Sequence, residues 1–225
     1  MSESPIKTVL WDIDGTLLVT GGAGAVAWQR AFEEQWGVEA NIEEHTQAGM
    51  TDPEIAGIIF REVIGREGTD QERAAAIAGY LAHLEAAVEE SSGYRIMAGI
   101  EEALPRLAEQ GVLQGIVTGN IEAAAQIKLA RGNLNRYFQF GGYGSDSSDR
   151  TEVTRKALER GAAVLGSPLD PSQAISVGDT PRDITAGHAA GIRVVGVATG
   201  AYSVDQQREA GADWPIPDVT TGFPA

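Results

Sequence analysis

A chain of 225 residues, 43% of them apolar, can bury the core of one large domain or of a domain carrying an insertion. Its formal charge of -15 repels phosphate backbones and argues against a nucleic-acid partner, and the lack of cysteine removes disulfides, thiolate metal sites and cysteine nucleophiles. No apolar run reaches the roughly 18 residues of a membrane-spanning helix, and the polar start Met1-Ser2-Glu3-Ser4-Pro5 lacks a signal-peptide pattern, so a cytoplasmic protein with no membrane partner is expected.

In chain order, residues 6–11 form an apolar run that reads as a buried strand, followed by Asp12-Ile13-Asp14-Gly15-Thr16-Leu17. Strand alternation sends Asp12 and Asp14 to one side. Like charges that close are unfavourable unless a cation or a proton separates them, so the pair suggests a divalent-metal site or a nucleophile beside an acid/base. An Asp-rich turn capping the strand is the alternative. After the connector Thr20-Gly21-Gly22-Ala23-Gly24, the chain reads as helical from Ala25 to about Ser92. One amphipathic segment covers residues 25–34 with a stop at Gly37, a second starts at Asp52-Pro53-Glu54, and a third covers residues 72–90. Residues 20–95 therefore read as a small helical module inserted into a second unit made of residues 1–19 and 96–225. Trp28, Phe32 and Trp36 are expected in the module's core.

From Ala98 the elements alternate. Helices are expected over residues 100–110, 121–131, 151–165 and 182–190, and strands over residues 112–118, 137–140, 174–177 and 192–197. Such alternation argues for an α/β fold, a Rossmann-like three-layer core with a parallel sheet covered on both faces. Ligands of such sheets bind beyond the carboxyl ends of the strands. The tail, residues 220–225, reads as loose.

Three further segments lie at such ends. Ile116-Val117-Thr118-Gly119-Asn120 precedes a helix, where a hydroxyl and backbone N–H groups suit an anion or serve as an ordinary cap. Gly178-Asp179 is followed four residues later by Asp183, and two carboxylates across a short loop suit Mg²⁺. Asp146-Ser147-Ser148-Asp149-Arg150 supplies a cation near the same edge. Lysine is scarce, with only Lys7, Lys128 and Lys156 in the chain.

Together these motifs resemble the haloacid dehalogenase-like hydrolase superfamily, in the phosphoglycolate phosphatase-like group with a small helical cap after the first strand. The carriers are Asp12-Ile13-Asp14-Gly15-Thr16, Ile116-Val117-Thr118-Gly119-Asn120, and Gly178-Asp179-Thr180-Pro181-Arg182-Asp183 with Ala186-Gly187 and Ala190-Gly191. The Lys-Pro of phosphoglycolate phosphatase-like members is absent. Arg150 is the preferred substitute and Lys156 the alternative.

The resemblance implies an Mg²⁺-dependent phosphatase acting on a small phosphorylated metabolite. Asp12 would attack phosphorus to give an aspartyl-phosphate, and Asp14 would act as acid, then base. Asp12, the Asp14 carbonyl and Asp179 would hold Mg²⁺, with Asp183 as ligand or support. Thr118, Gly119, Asn120 and Arg150 would hold the transferring group. The acid at position 14 disfavours a dehalogenase. The absence of lysine between Thr20 and Arg95 disfavours a phosphonatase and a phosphomutase. A phosphate-binding protein without turnover is the reading from another class. The cap should set specificity, with His45, Gly49, Met50, Thr51 and Asp52 as candidate substrate contacts. Substrate identity and oligomeric state are left open.

Overall fold

The computed structural model describes residues 5–225; the polar start, as far as Ser4, lies outside them. Six parallel strands form one sheet in the order β5-β4-β1-β6-β7-β8, with β1 (Thr8–Trp11) beside the centre. The others are β4 (Leu113–Val117), β5 (Gly141–Gly142), β6 (Ala174–Gly178), β7 (Arg193–Val197) and β8 (Trp214–Ile216). Every residue of β1, β4 and β6 is buried, as expected of strands covered on both faces. Val9 and Trp11 of β1 pack on one face with α5 (Ile100–Glu109) and α6 (Glu122–Arg131). Leu10 faces α7 (Arg150–Leu165) on the other, completing three layers. Two more helices, α8 (Pro181–Ala189) and α9 (Val204–Glu209), flank β7.

Register decides where the chemistry collects. Trp11 pairs with Ile116 of β4 and with Val177 of β6. Asp12, Thr118 and Asp179, each a step or two beyond those residues, therefore leave the sheet at one rim.

Between β1 and α5 the chain runs out and back through an antiparallel pair, β2 (Leu18–Val19) with β3 (Arg95–Ile96). The residues between them form α1 (Ala23–Trp36), α2 (Ile42–His45), α3 (Asp52–Ile59), a π turn (Phe60–Ile64) and α4 (Asp70–Glu90). This is the cap. Its own core contains Trp28, Phe32, Phe60, Tyr80 and Leu84, with Trp28 stacked on Tyr80 at 4.3 Å and Trp36 tilted against Phe32. Burying each such side chain is worth about 1.5–3 kcal/mol. Capping boxes Thr51/Glu54 and Thr69/Glu72 start α3 and α4.

Three expectations are corrected. Residues 137–140 are not a strand: Asn135–Tyr137 is a 3₁₀ turn, and the edge strand is Gly141–Gly142. The aromatics there pack against the core, whereas the strand must pass close to α7: a Cβ on Gly142 would lie 2.0 Å from the Val153 carbonyl oxygen. The tail is not loose, because Phe223 stacks on Trp11 at 5.5 Å. Beyond β7, α9 and β8 extend the sheet where sequence patterning showed no element.

Candidate active site

The rim divides into two corners. At the first, Asp12 (6% exposed), Asp179 (2%) and Asp183 (5%) bring carboxylate oxygens within 4.8 Å of one another. Asp12 is held at the end of β1 by its N–H, which donates to the Val177 carbonyl at 2.9 Å. Asp179 is fixed from several sides: Thr16 Oγ1 donates to its Oδ1 at 3.3 Å, and the buried Gln207 amide donates to its backbone carbonyl and to that of Val197. Gly15 packs directly against it, with φ at +86° and no room for a Cβ, which would lie 2.5 Å from Asp179 Oδ2. The glycine of the Asp-x-Asp-Gly-Thr segment is thus required by both backbone and carboxylate. Asp183, in the first turn of α8, accepts from Thr180 N–H at 3.1 Å and Thr180 Oγ1 at 2.7 Å.

Arg150, at the start of α7 and 8% exposed, donates to Asp183 and, at 3.4 Å, to Asp12. Two of the three buried carboxylates, Asp12 and Asp183, thus share one guanidinium. Burial, then the charge of Asp183, pushes the Asp12 carboxyl well above its usual range, with Arg150 opposing. Burial followed by Asp183 likewise raises Asp179 to about 7. Clustered hard oxygen donors with too little positive charge fit a divalent cation such as Mg²⁺.

At the second corner Asp14 leaves half its side chain exposed and turns to a different set of partners. Lys128 Nζ donates to its two carboxylate oxygens at 2.9 and 2.7 Å and to Asn120 Oδ1 at 2.6 Å. Asn120 Nδ2 lies 2.7 Å from Asp14 Oδ2 and 2.8 Å from Thr118 Oγ1. The Asn120 N–H, expected to hold an anion, donates instead to Thr118 Oγ1 at 3.2 Å. The Asp14 side chain is absent from the metal-competent cluster.

Lys128 was not among the residues singled out by sequence. A signal was present: Ala124, Ala125, Lys128 and Leu129 form the buried face of α6 at helical spacing, so the lysine points inward. Lys156, the alternative cation, pairs with Glu159 at 2.8 Å on a partly exposed face of α7 and does not join the cluster. Asp146 pairs with Arg160, and Asp149 caps α7.

The cap closes over this rim. A Cβ on Gly119 would meet the Met50 carbonyl oxygen at 2.5 Å, so cap and core backbones touch there. Asp52 N–H donates to the Gly119 carbonyl at 2.9 Å, and its carboxylate accepts from Ile121 N–H at 2.8 Å. Asp52 thereby starts α3 in the cap and caps α6 in the core. Burial raises its carboxyl to about 6, with Lys128 opposing. Gly49 packs against Thr180 and Arg182, and Arg182 reaches Glu54 at 3.4 Å. Of the five cap candidates, Gly49, Met50, Thr51 and Asp52 lie over the rim or its flanking loops, and Thr51 and Asp52 are committed to helix caps. His45 closes the short helix α2 and is half-buried.

Residues 9–197 match the family described as haloacid dehalogenase-like hydrolase. Over 225 residues the chain is 27% identical to a phosphoglycolate phosphatase of Aquifex aeolicus, covering 98% of this chain and 94% of that protein. It is 26% identical over 208 residues to the pyrophosphatase PpaX of Bacillus pumilus, with coverage of 88% and 86%. The crystal structure of CbbY from Rhodobacter sphaeroides in complex with phosphate has the same fold, with a TM-score of 0.74 over 94% of this chain and 93% of that one at 18% identity.

Proposed function

The chain belongs to the haloacid dehalogenase-like hydrolase family and is a phosphoric monoester hydrolase; on that premise we propose that Asp12 is its nucleophile and Asp14 its acid/base. The observation that carries the proposal is the buried trio Asp12, Asp179 and Asp183, with Arg150 paired to Asp12 and Asp183, at a rim where a fourth carboxylate, Asp14, stands apart. The names of the relatives support a small phosphorylated substrate. Composition and charge support a cytoplasmic protein, and among the described residues no helix is long and apolar enough to cross a membrane.

An Asp12 oxygen attacks phosphorus while Thr118 Oγ1, the Gly119 N–H and Arg150 hold the phosphoryl oxygens. The P–O bond to the leaving group breaks, and that oxygen takes a proton from Asp14. Asp14 then takes a proton from water, whose oxygen attacks the aspartyl-phosphate at phosphorus to release orthophosphate and restore Asp12. Asp12, Asp179 and the Asp14 carbonyl would hold Mg²⁺, with Asp183 as ligand or support, and its charge would lower the repulsion of an anionic phosphate by an anionic nucleophile. The cap, latched through Asp52, excludes water from the reaction.

Phosphate release from 4-nitrophenyl phosphate in the presence of Mg²⁺ tests the proposal. Wild type turns over, and Asp12→Asn loses at least about a thousand-fold while its melting transition is retained. Retained activity in Asp12→Asn contradicts the assignment of the nucleophile. Phosphate binding with no release at any metal concentration points to a binding protein.

A further inference from the structure

We propose that Lys128 is a positioning residue for Asp14, an assignment that rests on the phosphatase reading above. The ammonium group has three hydrogens, and the three contacts it makes are all within the site: the two Asp14 oxygens and Asn120 Oδ1. The lysine is 6% exposed, so its charge has left water and depends on these partners. It lies in the second turn of α6, on the face carrying Ala124, Ala125 and Leu129, where an apolar side chain would pack without any charge to neutralise. Its backbone is held as well, through the Tyr94 hydroxyl, which donates to the Lys128 carbonyl at 3.0 Å.

The grip has a direction. Lys128 and Asn120 hold the two Asp14 oxygens, and Asn120 ties them to Thr118 Oγ1, which follows β4. The acid/base carboxylate is thereby referenced to the hydroxyl that holds the transferring group, instead of turning freely about its own side-chain bonds. The exposed part of the Asp14 side chain, 44% of it, is left for the leaving oxygen. A general acid works only within hydrogen-bond reach of the oxygen it serves, so fixing Asp14 on one edge aligns it on the other. Arg150, by contrast, serves Asp12 and Asp183 and does not touch Asp14.

A residue that acts through a proton donor matters most when the leaving group needs the proton. Lys128→Met keeps the apolar stem and removes the ammonium. It should lower kcat/KM by about 100-fold on phenyl phosphate, a poor leaving group, and by no more than about 10-fold on 4-nitrophenyl phosphate, with KM for both within about 3-fold of wild type. In the Asp14→Asn background, Lys128→Met should change nothing further. Should the methionine variant fail to fold, Lys128→Gln carries the same comparison. Equal losses on both esters, no loss on either, or an added loss in the double variant would each overturn the assignment while leaving the phosphatase reading intact. A wild type inert on both esters would remove that reading and the role of Lys128 with it.

Discussion

The two corners of the rim differ in their charge balance. Of the three buried carboxylates Asp12, Asp179 and Asp183, Asp12 and Asp183 share Arg150, and burial pushes Asp12 and Asp179 upward. Around Asp14 one half-exposed carboxylate has its own ammonium and an amide donor. The first corner is stable at neutral pH only if more positive charge arrives; the second is complete as it stands. The difference marks the first corner as the one short of positive charge, and it sets the two aspartates of the Asp12-Ile13-Asp14 segment in unlike surroundings.

The strongest way to break the contrast is to remove a carboxylate from the first corner. Asp179→Asn should lower Mg²⁺-dependent phosphate release by at least about a thousand-fold. It should also erase thermal stabilisation by Mg²⁺, which for wild type amounts to about 2.7 kcal/mol at a hundred-fold excess over the dissociation constant. Stabilisation that survives in the variant would place the ion elsewhere.

Acid–base behaviour sharpens the same contrast. The folded-state values of Asp12 and Asp179 are raised, the latter to about 7 against an ordinary 3.8. The native state therefore binds more protons than the unfolded chain between these limits, and this stability is full below about 4 and lost as pH rises through about 7. Denaturant titrations of the metal-free protein should show that decline, and saturating Mg²⁺ should flatten it. A metal-free stability that rises across the window would contradict the charge deficit.

Smaller effects lie outside the two corners. Asp52→Ala removes the acceptor for Ile121 N–H and should destabilise the protein by about 1 kcal/mol, measured by denaturant midpoint. Lys156→Ala should leave activity unchanged and stability within about 0.5 kcal/mol, since it pairs with Glu159 on a partly exposed helix face.

The first corner was legible in the sequence because its residues follow directly from strand ends. An apolar run stops, a carboxylate follows, and a parallel sheet aligns such stops at one rim, as Trp11 does with Ile116 and Val177. The helical insertion was legible through its apolar stripes and caps. The second corner was only half legible. Asp14, Thr118 and Asn120 stand in motifs, whereas Lys128 belongs to a helix, and a lysine there is ordinarily a solvated charge; only the register of Ala124, Ala125 and Leu129 marks it as inward. The Asp52 contact joins positions 69 residues apart, which no local pattern encodes. The alternation of elements placed a strand at residues 137–140, but the strand forms where glycines let the chain pass beneath α7. Phe223 gave no periodic signal because a single ring settles on Trp11 without a regular element around it.

Diffraction from crystals soaked in Mn²⁺, an Mg²⁺ surrogate with an anomalous signal, tests the central claim most directly. One anomalous peak is expected between the Asp12 and Asp179 carboxylates, with Asp14 still gripped by Lys128. A peak at the Asp14 carboxylate with Lys128 displaced, or none at the rim under saturating metal, would contradict it.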